Sequence, residues 1–204
     1  MTIDIAQVNF EKNSGLIPVV IQDDDTLQVL MLGYMNKEAL LATLETKKVT
    51  FYSRSKNRLW IKGETSSNYL MVKDIHIDCD NDTLLIMVNP CGPTCHLGNV
   101  SCFGDQKMPG LAHIGYLDKI IRSRIVSPQV DSYTNKLLER GLNKVAQKVG
   151  EEAVEVVIAA LAESDTEFLG EMTDLIYHYL VLLHAKDKNI ADIAAVIANR
   201  HAER

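Results

Sequence analysis

The hydrophobic periodicity of this 204-residue chain changes once, and this change constrains the fold more than any other feature. Before residue 104 the apolar residues form short runs bounded by turn-forming residues, which is typical of β-strands. From Leu111 onward they recur at helical spacing. Between these regions, Gly104–Gly110 contains two glycines and a proline and is typical of a linker. The sequence therefore predicts two domains: a β-rich α+β domain over residues 1–110 and an all-helical bundle over residues 111–204.

Strands and one helix are predicted for the first domain. Two apolar runs within residues 16–35 flank an acidic turn and predict a β-hairpin. Asn36 is a candidate N-cap for a helix over Lys37–Thr46. The remaining predicted strands are Val49–Ser53, Leu59–Lys62, Tyr69–Asp74, Ile75–Cys79 and Thr83–Asn89. Asp80-Asn81-Asp82 forms the turn between the last two.

Five helices are predicted for the second domain. Gly141 is a plausible stop between the second and the third. The predicted helices are Leu111–Ile125, Ser132–Arg140, Leu142–Glu163, Glu167–Ala185 and Ile190–Ala202.

Charge and cysteine content narrow the classes of function. The formal net charge of −6 argues against nucleic-acid or membrane binding driven by basic charge. No stretch approaches the roughly 20 apolar residues of a membrane span. The first residues, Met1–Asp4, lack the basic start and apolar core of a secretory signal. We therefore expect a cytoplasmic protein whose four cysteines are reduced and available for metal binding or catalysis.

The stretch from Asp78 to Cys102 concentrates potential metal ligands. Thiolates select zinc-like metals, whereas carboxylates suit magnesium. Three thiolate ligands would leave zinc an open position for water, as in catalytic sites. The candidates for zinc are Cys79, Cys95 and Cys102, and those for magnesium are Asp78, Asp80 and Asp82.

Other interpretations of this stretch stay open from the residues alone. The aspartates also suit a simple turn, and a lone cysteine is often a small buried apolar residue. Cys91 as a fourth ligand would make the zinc site closed and structural. His96, next to a proposed ligand, either relays protons or orients the loop. Upstream, Arg54–Arg58 and Lys62–Asn68 combine basic groups, hydroxyls and a glycine. This combination suits phosphate binding, but it also suits a solvated hairpin tip.

The first half of the chain resembles phosphoribosyl-AMP cyclohydrolase over nearly all of residues 10–104. The motifs that carry the resemblance are Leu32–Asn36, Phe51–Ser55, Leu59–Thr65 and the stretch from Asp78 to Cys102. The resemblance implies opening of the adenine ring of phosphoribosyl-AMP in histidine biosynthesis. It also implies zinc on the three cysteines and magnesium on the three aspartates. In this family the cysteines come from two subunits, so a homodimer with shared metal sites is expected.

The same resemblance frames three further expectations. His96 is expected to shuttle a proton during ring opening. The basic loop is expected to hold the substrate's phosphates through Arg54, Lys62, Thr65 and Ser66. Ser67 stands where the family's loop is expected to have glycine, so the local backbone conformation is of interest.

Acidic residues cluster on two helices of the second half. At about 100° per residue, Glu151, Glu152 and Glu155 share one side of their helix with Lys144 and Lys148. On the next helix Glu171, Asp174 and His178 share a face within an apolar sequence. Burying such acids is costly unless they are paired or bind metal, so a magnesium site is predicted. The alternative is an ordinary solvated charged face.

This half resembles the all-helical nucleoside-triphosphate pyrophosphohydrolases, and more particularly phosphoribosyl-ATP pyrophosphohydrolase, over roughly residues 113–204. The motifs are Ser132–Thr134, Lys148–Glu152 and Asp174–His178. The resemblance implies release of pyrophosphate from phosphoribosyl-ATP. It implies magnesium on Glu151, Glu152, Glu155, Glu171 and Asp174, with Lys144 and Lys148 as phosphate contacts.

The leading hypothesis is thus a bifunctional enzyme for two consecutive steps of histidine synthesis. One alternative is a house-cleaning nucleotide pyrophosphatase fused to a zinc-binding module. The other is a non-enzymatic, zinc-stabilised binding module with a helical dimerisation domain.

Overall fold

The chain forms two compact units, Met1–His113 and Ile114–Arg204. The computed structural model describes residues 3–104 and 110–202. The strands lie in the first unit and the second consists of helices, so the predicted fold class is confirmed. Of the predicted linker Gly104–Gly110, residues 105–109 lie outside the described residues.

A four-stranded sheet forms the centre of the first unit. Its order is β2-β1-β6-β5, with β1 and β6 parallel and the outer pairs antiparallel. A separate antiparallel ribbon joins β3 and β4. The described strands are β1 (Ile17–Asp23), β2 (Val29–Met35), β3 (Thr50–Ser53), β4 (Arg58–Ile61), β5 (Leu70–Ile77) and β6 (Leu84–Pro90). The hairpin predicted within residues 16–35 is the β1–β2 pair.

Alternating apolar residues and one capped helix build the core of this unit. On β1, Ile17, Val19 and Ile21 are fully buried while the intervening residues are half-exposed. This alternation turns one face of the sheet toward the core. The predicted helix is α1 (Lys37–Thr46), and the Asn36 side chain accepts a hydrogen bond from the backbone N–H of Ala39.

The β5–β6 hairpin separates the two halves of the ligand-rich stretch. The predicted break between Asp74 and Ile75 does not occur, because β5 continues through a register irregularity after Val72. Leu70 pairs with Pro90 at one end of the hairpin and Ile77 with Leu84 at the other. Seven residue steps of a strand span about 23 Å. The turn at residues 78–83 therefore lies at one end and the loop after β6 at the other.

In the second unit, α4 packs mainly against α5. The buried core contains Ile121, Leu137, Val145, Leu180 and Val181. The described helices are α2 (Ala112–Val126), α3 (Tyr133–Glu139), α4 (Leu142–Ala162), α5 (Asp165–Ala185) and α6 (Ile190–Ala202). No helix in the described part of the chain is long and apolar enough to cross a membrane.

Helix α5 begins two residues before its predicted start at Glu167. Ser164 and Glu167 form a capping box, in which each side chain binds the backbone N–H group of the other residue. This reciprocal cap satisfies N–H groups of the first turn and sets where the helix begins.

Candidate active sites

A cavity of about 410 Å³ in the first unit collects most of the side chains proposed for substrate and zinc. It lies between the loop that follows β4 and the loop that follows β6. The sequence-predicted residues that line it are Lys62, Thr65, Ser66, Cys95, His96 and Cys102. Arg54 and Cys79 are not among its lining residues. The Arg54 guanidinium instead stacks on the Tyr34 ring, 3.8 Å from its centroid.

The wall formed by residues 63–68 depends on two unusual backbone conformations. Gly63 has φ +93°, and a Cβ there would lie 2.6 Å from the backbone of Asn68. No larger residue fits at that position without displacing the chain. Ser67 has φ 61°, in the left-handed region that glycine adopts most easily. Ser67 therefore adopts a turn conformation that suits glycine better than serine, which explains why glycine is expected at this position.

Two thiols and a buried cation face this cavity. Lys62 is only 7% exposed, and burial lowers its pKa, while the charges of Cys102 and Cys95 act in the opposite direction. Burial raises the pKa of Cys102, as does Cys95, and Lys62 partly offsets this. His96 Nδ1 lies 3.9 Å from Cys95 Sγ. The cavity thus brings two thiols, an ammonium group and an imidazole together.

One buried hydroxyl in the cavity wall was not anticipated. Thr94 is 2% exposed, and among the described residues its Oγ1 has no hydrogen-bond partner. The sequence offered no signal beyond its position in the Gly-Pro loop, because the unpaired hydroxyl results from how that loop folds.

Cys79 lies at the far end of the β5–β6 hairpin from Cys95 and Cys102. Within the residues that the structure describes, no group of three potential ligands gathers these cysteines in one chain. Cys91 is exposed and does not line the cavity; its backbone N–H donates to Tyr69 O at 2.9 Å. One chain therefore supplies two of the three predicted zinc ligands to the cavity.

The predicted magnesium ligands of the first unit do converge. Asp78, Asp80 and Asp82 each offer an oxygen, and these oxygens lie within 4.8 Å of one another. Asp78 Oδ1 accepts from the backbone N–H groups of Asp82 and Thr83, both at 3.0 Å, which shapes the turn.

The ammonium of Lys12 sits on this cluster, and the sequence did not anticipate it. Lys12 Nζ contacts Asp80 and lies 2.7 Å from Asp82 Oδ2. These bonds raise the pKa of Lys12 and lower that of Asp80. The contact spans 68 residues, so no local pattern reveals it. The ammonium neutralises part of the cluster's charge, so a divalent ion there would compete with Lys12 for Asp80 and Asp82.

The second unit contains a carboxylate cluster built from two helices. Glu152 on α4 and Glu171 and Asp174 on α5 offer oxygens within 4.8 Å of one another. Glu152 is 5% exposed. The negative charge of Glu152, followed by burial, raises the pKa of the neighbouring Glu155. Because these carboxylates repel one another, the cluster fits a hard divalent cation.

Two lysines on α4 form ion pairs with carboxylates at one side of this cluster. Lys148 Nζ lies 2.7 Å from Glu152 Oε1 and 3.0 Å from Glu151 Oε2. This pairing raises the pKa of Lys148 and lowers that of Glu151. Lys144 Nζ is 3.8 Å from Glu151 Oε1. Glu151 and Glu155 therefore border the central three carboxylates without belonging to that group.

Comparison with known proteins matches each half of the chain separately. Residues 31–104 match the family model of phosphoribosyl-AMP cyclohydrolase. Residues 115–201 match that of phosphoribosyl-ATP pyrophosphohydrolase.

Curated relatives match almost the whole chain. A protein from Photobacterium profundum, described as "Histidine biosynthesis bifunctional protein HisIE", is 50% identical over 202 residues, covering 97% of this chain and 98% of the relative. Relatives of the same description from Xanthomonas axonopodis pv. citri and Bacteroides thetaiotaomicron are 49% and 50% identical. They cover 97% and 96% of this chain, and 94% and 97% of their own lengths. This chain belongs to the HisIE family of histidine biosynthesis. It is a bifunctional enzyme with a phosphoribosyl-AMP cyclohydrolase domain and a phosphoribosyl-ATP pyrophosphohydrolase domain.

Membership in the HisIE family confirms the resemblance that the sequence motifs predicted. It also favours the leading hypothesis over the two alternatives, a house-cleaning pyrophosphatase with a zinc module and a non-enzymatic binding module. The individual site residues stay predictions, and the geometry above gives their placement.

Proposed function

We propose that the protein carries out two successive hydrolyses, one at the carboxylate cluster of the helical domain and one in the thiol-lined cavity of the first domain. The helical domain releases pyrophosphate from phosphoribosyl-ATP at the Glu152, Glu171 and Asp174 cluster. The phosphoribosyl-AMP formed then enters the cavity of the first domain, where its adenine ring is opened. The convergence of three carboxylates from two helices carries the proposal for the first step, because a divalent cation would relieve their mutual repulsion around the buried Glu152.

In the cavity, ring opening adds water at C6 of the purine and breaks the bond from C6 to N1. A proton must therefore reach N1 as that bond breaks, and His96 is placed beside Cys95 to transfer it. Lys62, Thr65 and Ser66 bind the substrate's phosphate oxygens. Zinc bound by the cysteines would lower the pKa of a bound water to near 7.

We propose that Cys79 completes the zinc site in the cavity of a second copy. Cys79 is exposed at the end of the hairpin remote from its own chain's cavity. In a dimer with two-fold symmetry, the Cys79 end of each hairpin would lie at the cavity of the other copy, so that each cavity receives one Cys79. The neighbouring aspartates Asp78, Asp80 and Asp82 would accompany it and hold magnesium near the substrate's phosphates.

The surface of α4 supports a homodimer. Several large apolar side chains of this helix are exposed, which is unfavourable for a monomer. They are Val154, Val157, Ile158 and Leu161. We propose that a second copy covers this face, and that the protein acts in the cytoplasm, where thiols stay reduced.

In the helical domain the proposed ligands have two distinct tasks. The central carboxylates Glu152, Glu171 and Asp174 hold magnesium, which would neutralise charge on the triphosphate and on the leaving pyrophosphate. Glu151 and Glu155 border this cluster and would add negative charge around the ion. Lys144 and Lys148 orient Glu151 and Glu152 and contact the phosphates.

A product assay tests both steps together. Purified protein is given phosphoribosyl-ATP with Zn²⁺ and Mg²⁺, and the products are identified over time. Pyrophosphate and phosphoribosyl-AMP are expected first, followed by the ring-opened product. Hydrolysis of ordinary nucleoside triphosphates, with no turnover of phosphoribosyl-ATP, would instead support the house-cleaning alternative.

The Cys95→Ala substitution tests the proposed zinc site separately from pyrophosphate release. Cys95→Ala is expected to lower the bound zinc content and to abolish ring opening, while pyrophosphate release continues. A Cys95→Ala protein that kept both its zinc and its ring-opening rate would refute the zinc site.

A further inference from the structure

His178 on α5 lies between a proposed metal ligand and a tyrosine from another helix. Its Nδ1 is 2.9 Å from the backbone oxygen of Asp174 and 3.6 Å from Glu152 Oε1. Its Nε2 is 3.2 Å from the hydroxyl of Tyr133, the first residue of α3. His178 is 5% exposed, as is Glu152. Three helices thus meet at this imidazole.

The partners of the ring determine which nitrogen carries its proton. Nδ1 faces two acceptors, the Asp174 carbonyl and the Glu152 carboxylate, so this nitrogen is the donor. In the neutral ring Nε2 is then an acceptor, and the Tyr133 hydroxyl donates to it. Tyr133 therefore holds the tautomer in which Nδ1–H bonds the Asp174 carbonyl, and Glu152 Oε1 lies 3.6 Å from the same nitrogen.

Two contacts on Glu152 fall on the same carboxylate oxygen. Lys148 and His178 both approach Oε1, at 2.7 Å and 3.6 Å. A carboxylate held on one oxygen presents its other oxygen in a defined direction. Free rotation of the side chain would cost ordering energy each time an ion bound.

We propose that His178, held by Tyr133, is a positioning residue that orients Glu152 for the divalent ion of the pyrophosphohydrolase site. This inference rests on the proposed role of Glu152 as a metal ligand. Neither His178 nor Tyr133 contacts the ion or the reacting atoms; both act through the Glu152 carboxylate. Groups that orient metal ligands in this way commonly change metal affinity or activity by about 10- to 100-fold.

A neighbouring tyrosine offers a matched control. Tyr177 packs edge-to-face against the same imidazole, with ring centroids 5.1 Å apart, but its hydroxyl forms a hydrogen bond with Thr134 Oγ1 at 2.7 Å. Tyr133→Phe and Tyr177→Phe remove the same atom from the same aromatic cluster. Only the first removal takes away a hydrogen bond of the imidazole that faces Glu152. A merely structural role would make the two variants similar in metal binding.

The experiment measures Mg²⁺ binding to the full chain by calorimetry, together with kcat and KM for pyrophosphate release. All variants carry Asp80→Asn and Asp82→Asn, so that the carboxylate cluster of the other domain does not contribute to the titration. Tyr133→Phe is expected to weaken Mg²⁺ binding by about tenfold, and Tyr177→Phe by much less. His178→Phe is expected to weaken Mg²⁺ binding further. His178→Asn keeps a donor near the position of Nδ1 and is expected to recover much of the lost Mg²⁺ affinity.

Equal Mg²⁺ affinity in the Tyr133→Phe and Tyr177→Phe proteins would overturn the inference. So would a His178→Asn protein no better than His178→Phe at equal thermal stability. Glu152→Gln distinguishes this failure from failure of the proposed function. If Glu152→Gln keeps Mg²⁺ binding and pyrophosphate release, the metal site itself is wrong; if it loses both, only the role of His178 is in question.

Discussion

Lys12 Nζ lies 2.7 Å from Asp82 Oδ2 and also contacts Asp80, so an ammonium group is paired with two of the three carboxylates proposed for magnesium. A divalent ion at this cluster would have to displace that ammonium or share the carboxylates with it. The side chains of Lys12 and Asp80 are 43% and 57% exposed, which limits the strength of their pairing.

Lys12→Met is therefore expected to strengthen Mg²⁺ binding at the aspartate cluster by about two- to fivefold, the range of an exposed ion pair. Calorimetric titration in a Glu152→Gln background isolates this cluster. Lys56→Met, at the exposed tip between β3 and β4, removes the same charge from a different part of the domain and controls for net charge. Weaker binding after Lys12→Met would mean that the lysine assists the ion.

The two activities are expected to separate by mutation. Glu152→Gln should abolish pyrophosphate release because it removes a central buried carboxylate of the helical cluster. Ring opening of added phosphoribosyl-AMP should continue, since the cavity lies in the other unit. Parallel assays with each substrate measure this separation. Loss of both activities in a folded Glu152→Gln protein would show that the domains are not independent.

Subunit complementation tests the shared zinc site. Cys79→Ala and Cys102→Ala proteins should each lack ring opening, because every cavity loses one ligand. After unfolding and co-refolding of equal amounts, half of the dimers should be mixed, and each mixed dimer regains one intact cavity. Recovery of about one quarter of wild-type activity is expected for a symmetric dimer.

Co-refolding of Cys95→Ala with Cys102→Ala serves as the control for this experiment, since both ligands come from the same chain and no cavity is restored. Equal recovery in the two mixtures, or no recovery in either, would contradict a site shared in this way.

Lys62 is expected to contribute to substrate binding through its buried charge. Lys62→Met should raise KM for phosphoribosyl-AMP by about tenfold or more, the loss expected for a charged hydrogen bond. Steady-state kinetics of ring opening measure the change, with Lys56→Met as the exposed control. An unchanged KM would leave Lys62 as a structural residue of the cavity wall. Pyrophosphate release should be unaffected in both variants.

Because neighbouring carboxylates repel Glu155, removing its negative charge is expected to stabilise the folded protein in a pH-dependent way. Glu152 raises the pKa of Glu155, so without a metal ion the folded state binds a proton more tightly than the unfolded state does. Stability is therefore lost as the pH rises from the ordinary pKa of 4.5 through the raised value. Glu155→Gln should raise the melting temperature at pH 7, with the gain disappearing near pH 4.

Thermal unfolding at several pH values, in chelator, measures this effect. Glu163→Gln, at the end of α4, provides an exposed control of the same chemistry. Adding Mg²⁺ should remove most of the difference between Glu155→Gln and the unchanged protein, because the ion relieves the same repulsion. A gain that persists at pH 4 would show that repulsion is not its cause.

Local patterns predicted most of the elements and sorted the potential ligands by type, although the predicted break between Asp74 and Ile75 was wrong. The alternation on β1, the Asn36 cap and the spacing of Glu171 and Asp174 each act within a few residues, so the sequence carries them directly. The start of α5 was predicted two residues too late, although the Ser164–Glu167 capping box that sets it is also a local pattern.

The sequence by itself determined the two-part architecture and the separation of thiolates from helical carboxylates, because periodicity and ligand chemistry are local properties of the residues. Only the tertiary structure decided that Lys12 reaches the aspartates, that Tyr133 holds His178, and that Cys79 lies apart from its own cavity. These relationships join residues far apart in the chain. They depend on strand order and helix packing, which bring distant side chains together without leaving a local signal.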